Sequence, residues 1–406
     1  MNAPRIVVTQ SETRTRHEDR FHRFGLIAWW DQSRLSNSKA MVVGAGALGN
    51  ELVKNLALLG WGRILVADLD RIEDSNLSRS VLYREQDNGA FKSEIAARAA
   101  KDIYPQIRSH CFVGNVIHDL GLGVFRWADI VLGGLDNREA RLAINRSCWK
   151  FGRPWIDGAI EQIQGCARVF VPDGPCYECT MSEADWKLLE RRRSCNLLSR
   201  REMESGKTPT TPTISSIIAG VQCQEAVKLM HGIPVMSGQG WMFHGLSGDS
   251  YQIEYQRDPD CYSHDPFDEV VELDWQSSTT TLRMALDEAR KQLGCDAQIE
   301  LSREVVAGFT CPKCGGEEFV FRSLSQVRAE EAICPRCQDM NRQVRTFYQL
   351  RGTEDFLDRT LSEVGLPPYD VLTARAGDQS IGLELTADAP SVLGPLLEKG
   401  SEGASP

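Results

Sequence analysis

Ala40-Met41-Val42-Val43-Gly44-Ala45-Gly46-Ala47-Leu48-Gly49 is the stretch that decides the fold. Its first four residues are apolar without interruption, which predicts a buried strand. Gly44-x-Gly46-x-x-Gly49 breaks that strand. Leu48, Leu52, Leu56 and Leu59 then recur at helical spacing, and Gly60 and Gly62 end the helix. Strand, glycine turn and helix in this order form the fingerprint of a dinucleotide-type unit. The glycines let a phosphate approach the backbone, and the helix N-terminus favours its negative charge. A second apolar run, Ile64 to Ala67, stops at Asp68, where a carboxylate can bind ribose hydroxyls. A third, Ile130-Val131-Leu132, runs into Gly133 and Gly134. Strands alternating with helices predict an α/β fold, a Rossmann-like doubly wound parallel sheet. Taken alone, the loop also fits an NAD or FAD dehydrogenase, or a tight turn with no ligand.

The charges that follow are not those of a dehydrogenase. Asp68-Leu69-Asp70-Arg71-Ile72-Glu73-Asp74-Ser75-Asn76-Leu77-Ser78-Arg79 is a long polar loop, with Lys92 soon after and Asp136-Asn137-Arg138 behind the third strand. In such a sheet these groups gather at the carboxyl ends of the strands, the crevice where ligands bind. Arg and Lys can hold a triphosphate there, and a carboxylate can hold Mg²⁺. That is equipment for attacking ATP, and nicotinamide binding needs none of it.

The whole chain is consistent with a large intracellular enzyme. Its 406 residues suggest two or three domains. Lys and Arg total 46 against 56 Asp and Glu, a net charge of −10, which argues against a nucleic-acid-coating protein. No apolar stretch reaches the ~20 residues of a membrane helix. Met1 to Glu18 lacks the apolar core of a signal peptide. The 13 cysteines include several Cys-x-x-Cys pairs, which in a reducing cytosol read as metal ligands. We expect an N-terminal arm over 1–38, a nucleotide domain over 39–268, a smaller α+β domain over 269–392, and a disordered tail over 393–406. Residues 173–212 read as a crossover loop.

Cys311-Pro312-Lys313-Cys314 and Cys334-Pro335-Arg336-Cys337 are two knuckles with nineteen residues between them. That spacing predicts a structural zinc ribbon over 309–340. Cys176 and Cys179 form a similar pair in the crossover. Cys195 follows Arg191-Arg192-Arg193, whose charge favours a thiolate; an incidental surface cysteine is the alternative. Cys111, Cys148, Cys166, Cys223 and Cys295 lie in apolar or helical patterns and are expected in the core.

At this point the sequence resembles a family. The glycine loop, Asp68-x-Asp70-x-x-x-x-Ser75-Asn76-Leu77-x-Arg79, Lys92 and Asp136-Asn137-x-x-x-Arg141 are similar to the ThiF/MoeB/ubiquitin-activating superfamily. So is Thr210-Thr211-Pro212-Thr213-Ile214 leading into Gln224-Glu225-Ala226-Val227-Lys228. The resemblance covers roughly residues 20–265. It implies adenylation of the C-terminal glycine of a ubiquitin-like protein. Matched by motif, Gly44, Gly46 and Gly49 form the nucleotide loop, with Asp68 on the ribose beside Asp70. Asn76, Arg79 and Lys92 contact phosphates, and Asp136 coordinates Mg²⁺. Arg23 matches an arginine that reaches into the partner subunit's site, which implies a homodimer.

The resemblance also completes a second zinc site, since the family carries another Cys-x-x-Cys where this chain has Cys261-Tyr262-Ser263-His264. Cys176, Cys179, Cys261 and His264 are then its ligands; a pair that has lost its metal and packs as apolar residues is the alternative. Cys195 falls where thioester-forming members place their acceptor cysteine. Residues 278–298 and 357–388 resemble the ubiquitin-fold domain that recruits a conjugating enzyme, which makes the zinc ribbon an insertion, with a generic stabilising appendage as the alternative. The expected protein is thus a cytoplasmic activating enzyme of a bacterial conjugation system, using ATP, Mg²⁺ and two structural zinc ions, without nucleic-acid or membrane partners. The alternatives are adenylation of a sulfur-carrier protein without conjugation, a catalytically retired scaffold, and a dehydrogenase.

Overall fold

A computed structural model describes residues 19–187 and 209–397. Eight strands form the first sheet: β1 (Lys39–Val43), β2 (Arg63–Asp68), β3 (Arg108–Val113), β4 (Ile130–Gly133), β5 (Trp155–Glu161), β6 (Gln164–Phe170), β7 (Gln239–His244) and β8 (Asp249–Glu254). Their order is β3-β2-β1-β4-β5-β6-β7-β8. The first five are parallel and form the predicted doubly wound half. The last three run antiparallel, so the sheet is mixed. Only Gln162 and Ile163 separate β5 from β6, and Gln162 sits at φ 54°. A two-residue hairpin can join antiparallel strands only; a parallel return needs a crossover.

Both faces of the parallel half are covered, which explains its unbroken apolar runs. A short helix, α1 (Gln32–Asn37), leads into β1. Val42, Val66 and Leu132 pack on one face against α2 (Ala47–Leu58), α3 (Lys92–Ile103) and a long helix over Pro212–His231. Met41, Val43 and Val131 face the other way, toward α4 (Gly123–Trp127) and α5 (Arg138–Lys150). The long helix, α6, buries Ile214, Ile218 and Cys223 and leaves Ile217 exposed. Among the described residues no helix is long and apolar enough to cross a membrane.

A second, six-stranded sheet comprises β9 (Glu269–Leu273), β10 (Gln298–Thr310), β11 (Glu317–Ser323), β12 (Gln343–Leu350), β13 (Val371–Ala376) and β14 (Gln379–Leu385). The helix α7 (Leu282–Leu293), capped by the Thr281 hydroxyl, packs its apolar stripe on this sheet. The two units share a core. Tyr369, Val371, Leu393 and Leu396 of the second join Phe125, Leu142 and Trp155 of the first. This corrects the expected tail: a short helix, α8 (Ala389–Leu393), and the turn after it are ordered because Leu393 and Leu396 are buried. Residues from 398 onward lie outside the described part.

A buried ion pair fixes this junction. Arg303 meets Asp370 at 3.3 Å, and both side chains are about 97% buried. The guanidinium also donates to the carbonyl of His118, and Asp370 accepts from the amide of Leu122 at 2.8 Å. Removing one partner of such a pair strands a charge in a dry site, which costs roughly 3–5 kcal/mol. Arg303→Ala should lower unfolding stability by about that amount. Arg303→Ala/Asp370→Asn should recover part of it, since the asparagine carries no charge and still accepts from Leu122. Heat and denaturant unfolding of the three proteins provide the measurement.

Candidate functional site

A cleft of about 1010 Å³ opens at the carboxyl ends of the parallel strands. It sits where the strand order reverses between β1 and β4, the usual ligand position in open α/β sheets. Gly44, Gly46, Asp68, Asp70, Asn76, Arg79, Lys92 and Asp136, separated in sequence, all line it. The three loop glycines differ in their work. Gly44 has φ 89°, and a side chain there would strike the Gly134 carbonyl. A side chain at Gly49 would strike the Gly44 carbonyl. Gly46 caps α2 and faces open space, so it is the position where a phosphate could meet the helix N-terminus.

Asp68 closes the loop from below. Its carboxylate accepts from the Ala45 amide at 2.6 Å and from the Asp70 amide at 2.7 Å. Burial pushes its carboxyl above the ordinary value of 3.8, outweighing these two hydrogen bonds and the nearby Lys92 charge. Lys92 opens α3 and pairs with Asp70 at 2.8 Å. Asn76 is buried and accepts from the Glu73 amide at 3.0 Å, fixing the turn that carries Arg79. Arg79 donates to the Ser75 carbonyl at 2.7 Å. Asp136 projects into the cleft as an exposed carboxylate.

The cleft floor holds two charges that the sequence reading passed over, Asp157 and Arg168, beside Arg141 of the quoted motif. Asp157 is fully buried, with Arg141 Nε at 2.8 Å on one oxygen and Arg168 Nε at 3.0 Å on the other. Arg141 also donates to the carbonyls of Leu135 and Gly158, at 2.6 and 3.0 Å, which steadies the loop bearing Asp136. Arg168 pairs with Asp157 across β5 and β6. The only sequence signal was a charge inside each of two apolar runs, Trp155-Ile156-Asp157 and Ala167-Arg168-Val169.

One expected residue does not line the cleft, and another lies outside the described residues. Arg23 is exposed and lies outside its own chain's cleft. Cys195 lies outside the described residues, as do Arg191, Arg192 and Arg193. The crossover reaches the cleft rim before that point: Asp185 pairs with Arg138 at 2.9 Å, and both line the opening. Among the other cysteines, Cys148 and Cys223 are buried as expected. Cys166 is buried in the cleft wall, Cys111 is half-buried, and Cys295 is exposed just beyond the end of α7.

Two sets of ligand-type atoms converge. Cys176 Sγ lies 3.6 Å from both Cys179 Sγ and Cys261 Sγ, and Cys179 Sγ lies 3.5 Å from His264 Nε2. Cys311 and Cys337 are 3.6 Å apart, and Cys314 and Cys334 3.7 Å. Within each set all ligand atoms fall within 4.8 Å of one another. Tetrahedral Zn–S bonds of ~2.3 Å put sulfurs about 3.7 Å apart, so both sets fit a zinc ion. The first is supported from behind: His264 stacks on Trp149 with centroids 4.1 Å apart, and Glu178 is held by Arg146 at 3.0 Å and by Ser263.

The chain matches the ThiF family over residues 19–263. It is 31% identical over 242 residues to the SAMP-activating enzyme E1 of Haloferax volcanii, covering 57% of this chain and 81% of that protein. It is 28% identical over 253 residues to the sulfur carrier protein adenylyltransferase of Thermus thermophilus, covering 60% and 89%. Among solved structures, E. coli MccB with ATP superposes with a TM-score of 0.52 at 21% identity, over 62% of this chain and 75% of that one. A likeness at that identity concerns the fold.

The raised Asp68 carboxyl has a thermodynamic consequence. In the unfolded chain the group ionises near 3.8, and in the folded protein it ionises later. Between those two values the unfolded state therefore gains on the folded one as pH rises. Asp68→Asn removes this titration and adds a pH-independent cost, since one of the two backbone amides loses its acceptor. The stability of Asp68→Asn relative to wild type should rise from near pH 3.8 upward and then level off. The gain is about 1.4 kcal/mol per unit of displacement. Denaturant unfolding across that range measures it.

Proposed function

Because the chain belongs to the ThiF family, we propose that its cleft uses ATP to adenylate the C-terminal glycine of a ubiquitin-like protein, and that Cys195 then takes the acyl group as a thioester. The observation that supports adenylation most directly is the convergence of Gly46, Asp68, Asn76, Arg79, Lys92 and Asp136 on one cleft.

A glycine carboxylate is a poor acyl donor. In the proposed first step its oxygen attacks the α-phosphorus of ATP. The bond from that phosphorus to the bridging oxygen of the β-phosphate breaks, and pyrophosphate leaves. The protein contributes position and positive charge. Asp68 would accept from the ribose hydroxyls, Gly46 and the start of α2 would meet phosphate, and Arg79 and Lys92 would neutralise the charge that builds up. Asp136 lines the cleft as an exposed carboxylate, and its hard oxygen atoms fit Mg²⁺. The metal would neutralise phosphate charge. In the second step the Cys195 thiolate attacks the acyl carbon, a C–S bond forms, and AMP leaves.

A second reading fits the relatives equally: the enzyme stops at the acyl-adenylate and serves a sulfur-carrier protein, as the name of the Thermus thermophilus relative indicates. Arg23, exposed and away from its own cleft, suits service in the cleft of a second copy. The C-terminal sheet would recruit a conjugating enzyme. The two cysteine sets would each hold a structural zinc, since four protein ligands leave no open position.

The deciding experiment incubates the protein with ATP, Mg²⁺ and a ubiquitin-fold protein ending in glycine, then runs non-reducing gels of wild type and Cys195→Ala. The expected result is a thiol-labile band in wild type only, with ATP–pyrophosphate exchange retained in both. Exchange without any band assigns the protein to sulfur-carrier activation. No exchange with a bound partner assigns a scaffold, and a thermal shift with NAD instead of ATP assigns a dehydrogenase. Metal analysis should return two zinc per chain, falling to one in Cys311→Ser/Cys314→Ser and to one in Cys176→Ser/Cys179→Ser.

A further inference from the structure

Asn50 is a fully buried polar residue on the first turns of α2, where asparagine is neither a good helix former nor a usual core residue. Every polar atom of its side chain is used. Nδ2 donates to the carbonyls of Ala45, at 2.7 Å, and Gly46, at 3.1 Å. Oδ1 accepts from the amide of Leu82 at 2.9 Å, thirty-two residues away. A second buried group, the Tyr83 hydroxyl, donates to the same Ala45 carbonyl at 2.5 Å.

These bonds join the two walls of the phosphate end of the cleft. One wall is the glycine loop, whose Gly46 faces open space. The other is the segment that carries Asn76 and Arg79 and runs on to Leu82 and Tyr83 through the backbone bonds Arg79 N to Asn76 O, 3.0 Å, and Tyr83 N to Ser80 O, 3.2 Å. Holding the Ala45 and Gly46 carbonyls back into the protein leaves the amide side of the loop turned to the cleft. Asp68, which would take the ribose, stands at the end of β2 and accepts from the Ala45 amide.

We propose that Asn50 is a positioning residue for the triphosphate: it sets the gap between the glycine loop and the Arg79 segment, with Tyr83 as its second brace. The proposal rests on the reading that the cleft binds ATP. A phosphate held between two walls loses affinity when the walls lose register, while a nucleoside held at Asp68, on the end of β2, depends on that register far less.

Calorimetric titration of the full-length protein with Mg·ATP and with adenosine separates these effects. Asn50→Leu keeps the side-chain shape and removes all three hydrogen bonds. It should weaken ATP binding about tenfold or more and change adenosine binding less than twofold. Tyr83→Phe, which removes one hydroxyl and keeps the ring, should shift ATP in the same direction by a smaller factor; it decides the matter if Asn50→Leu does not fold. Leu52→Ala, a cavity on the same helix, lowers stability and should leave the ATP-to-adenosine ratio at the wild-type value. Unchanged ATP binding in the Asn50 and Tyr83 variants, a parallel loss of adenosine, or the same ratio change in Leu52→Ala overturns the role of Asn50 while ATP binding by wild type stands. A wild type that binds neither ligand overturns the ATP reading itself, and the role of Asn50 with it.

Discussion

Three backbone segments meet at Gly44, Gly49 and Gly134, and none of them has room for a side chain facing the others. A Cβ on Gly49 would overlap the Gly44 carbonyl, and one on Gly44 would overlap that of Gly134. This contact brings the end of β1, the start of α2 and the end of β4 within backbone distance. It is why the helix N-terminus and the Asp136 carboxylate open into one cleft. The surrounding fold holds the contact in place, with Val42 packed on one face of the sheet and Met41 and Val43 on the other. A rigid core on both sides is what makes a backbone junction without side chains usable as a binding surface.

The charges of the cleft divide by burial. Lys92 and Asp70 form a pair in which the carboxylate is more than half exposed. Such a pair contributes about 0–1 kcal/mol. Its lysine can exchange that carboxylate for a phosphate at little cost. The Arg141–Asp157–Arg168 cluster is different, since Asp157 has no exposed surface and both arginines are nearly covered. Breaking it costs several kcal/mol. Those arginines therefore serve as structure under the cleft, while Arg79 and Lys92 on its wall remain open to a ligand.

What was legible in the sequence follows the same physics. The glycine spacing, the acidic residue at the end of β2 and the four-cysteine ribbon were readable because their chemistry demands fixed local intervals. Asp157 and Arg168 were not, because they meet across a strand pair. Asn50 was not, because Leu82 reaches it only through tertiary structure. The antiparallel wing β6 to β8 escaped the parallel expectation because apolar runs carry no direction. Cys295 was expected in the core from its neighbours, yet the chain turns outward once α7 ends at Gly294. Patterns report which side chains avoid water, and they do not report which distant partner a polar atom finds.

The second unit restricts how the whole protein can operate. Its Leu393 and Leu396 complete the core beneath β1 and β4, and the Arg303–Asp370 pair anchors it to the backbone just before α4. Arg126 on α4 adds a bond to Glu272 at 2.8 Å and another to Glu384. A unit attached through a shared core and a buried ion pair cannot swing toward the cleft without exposing both. A partner bound to its sheet would stand at a fixed distance from the cleft. At the cleft rim, Asp185 of the crossover meets Arg138 in a partly exposed ion pair. An ion pair exposed to that extent is easier to break than the buried Arg303–Asp370 pair.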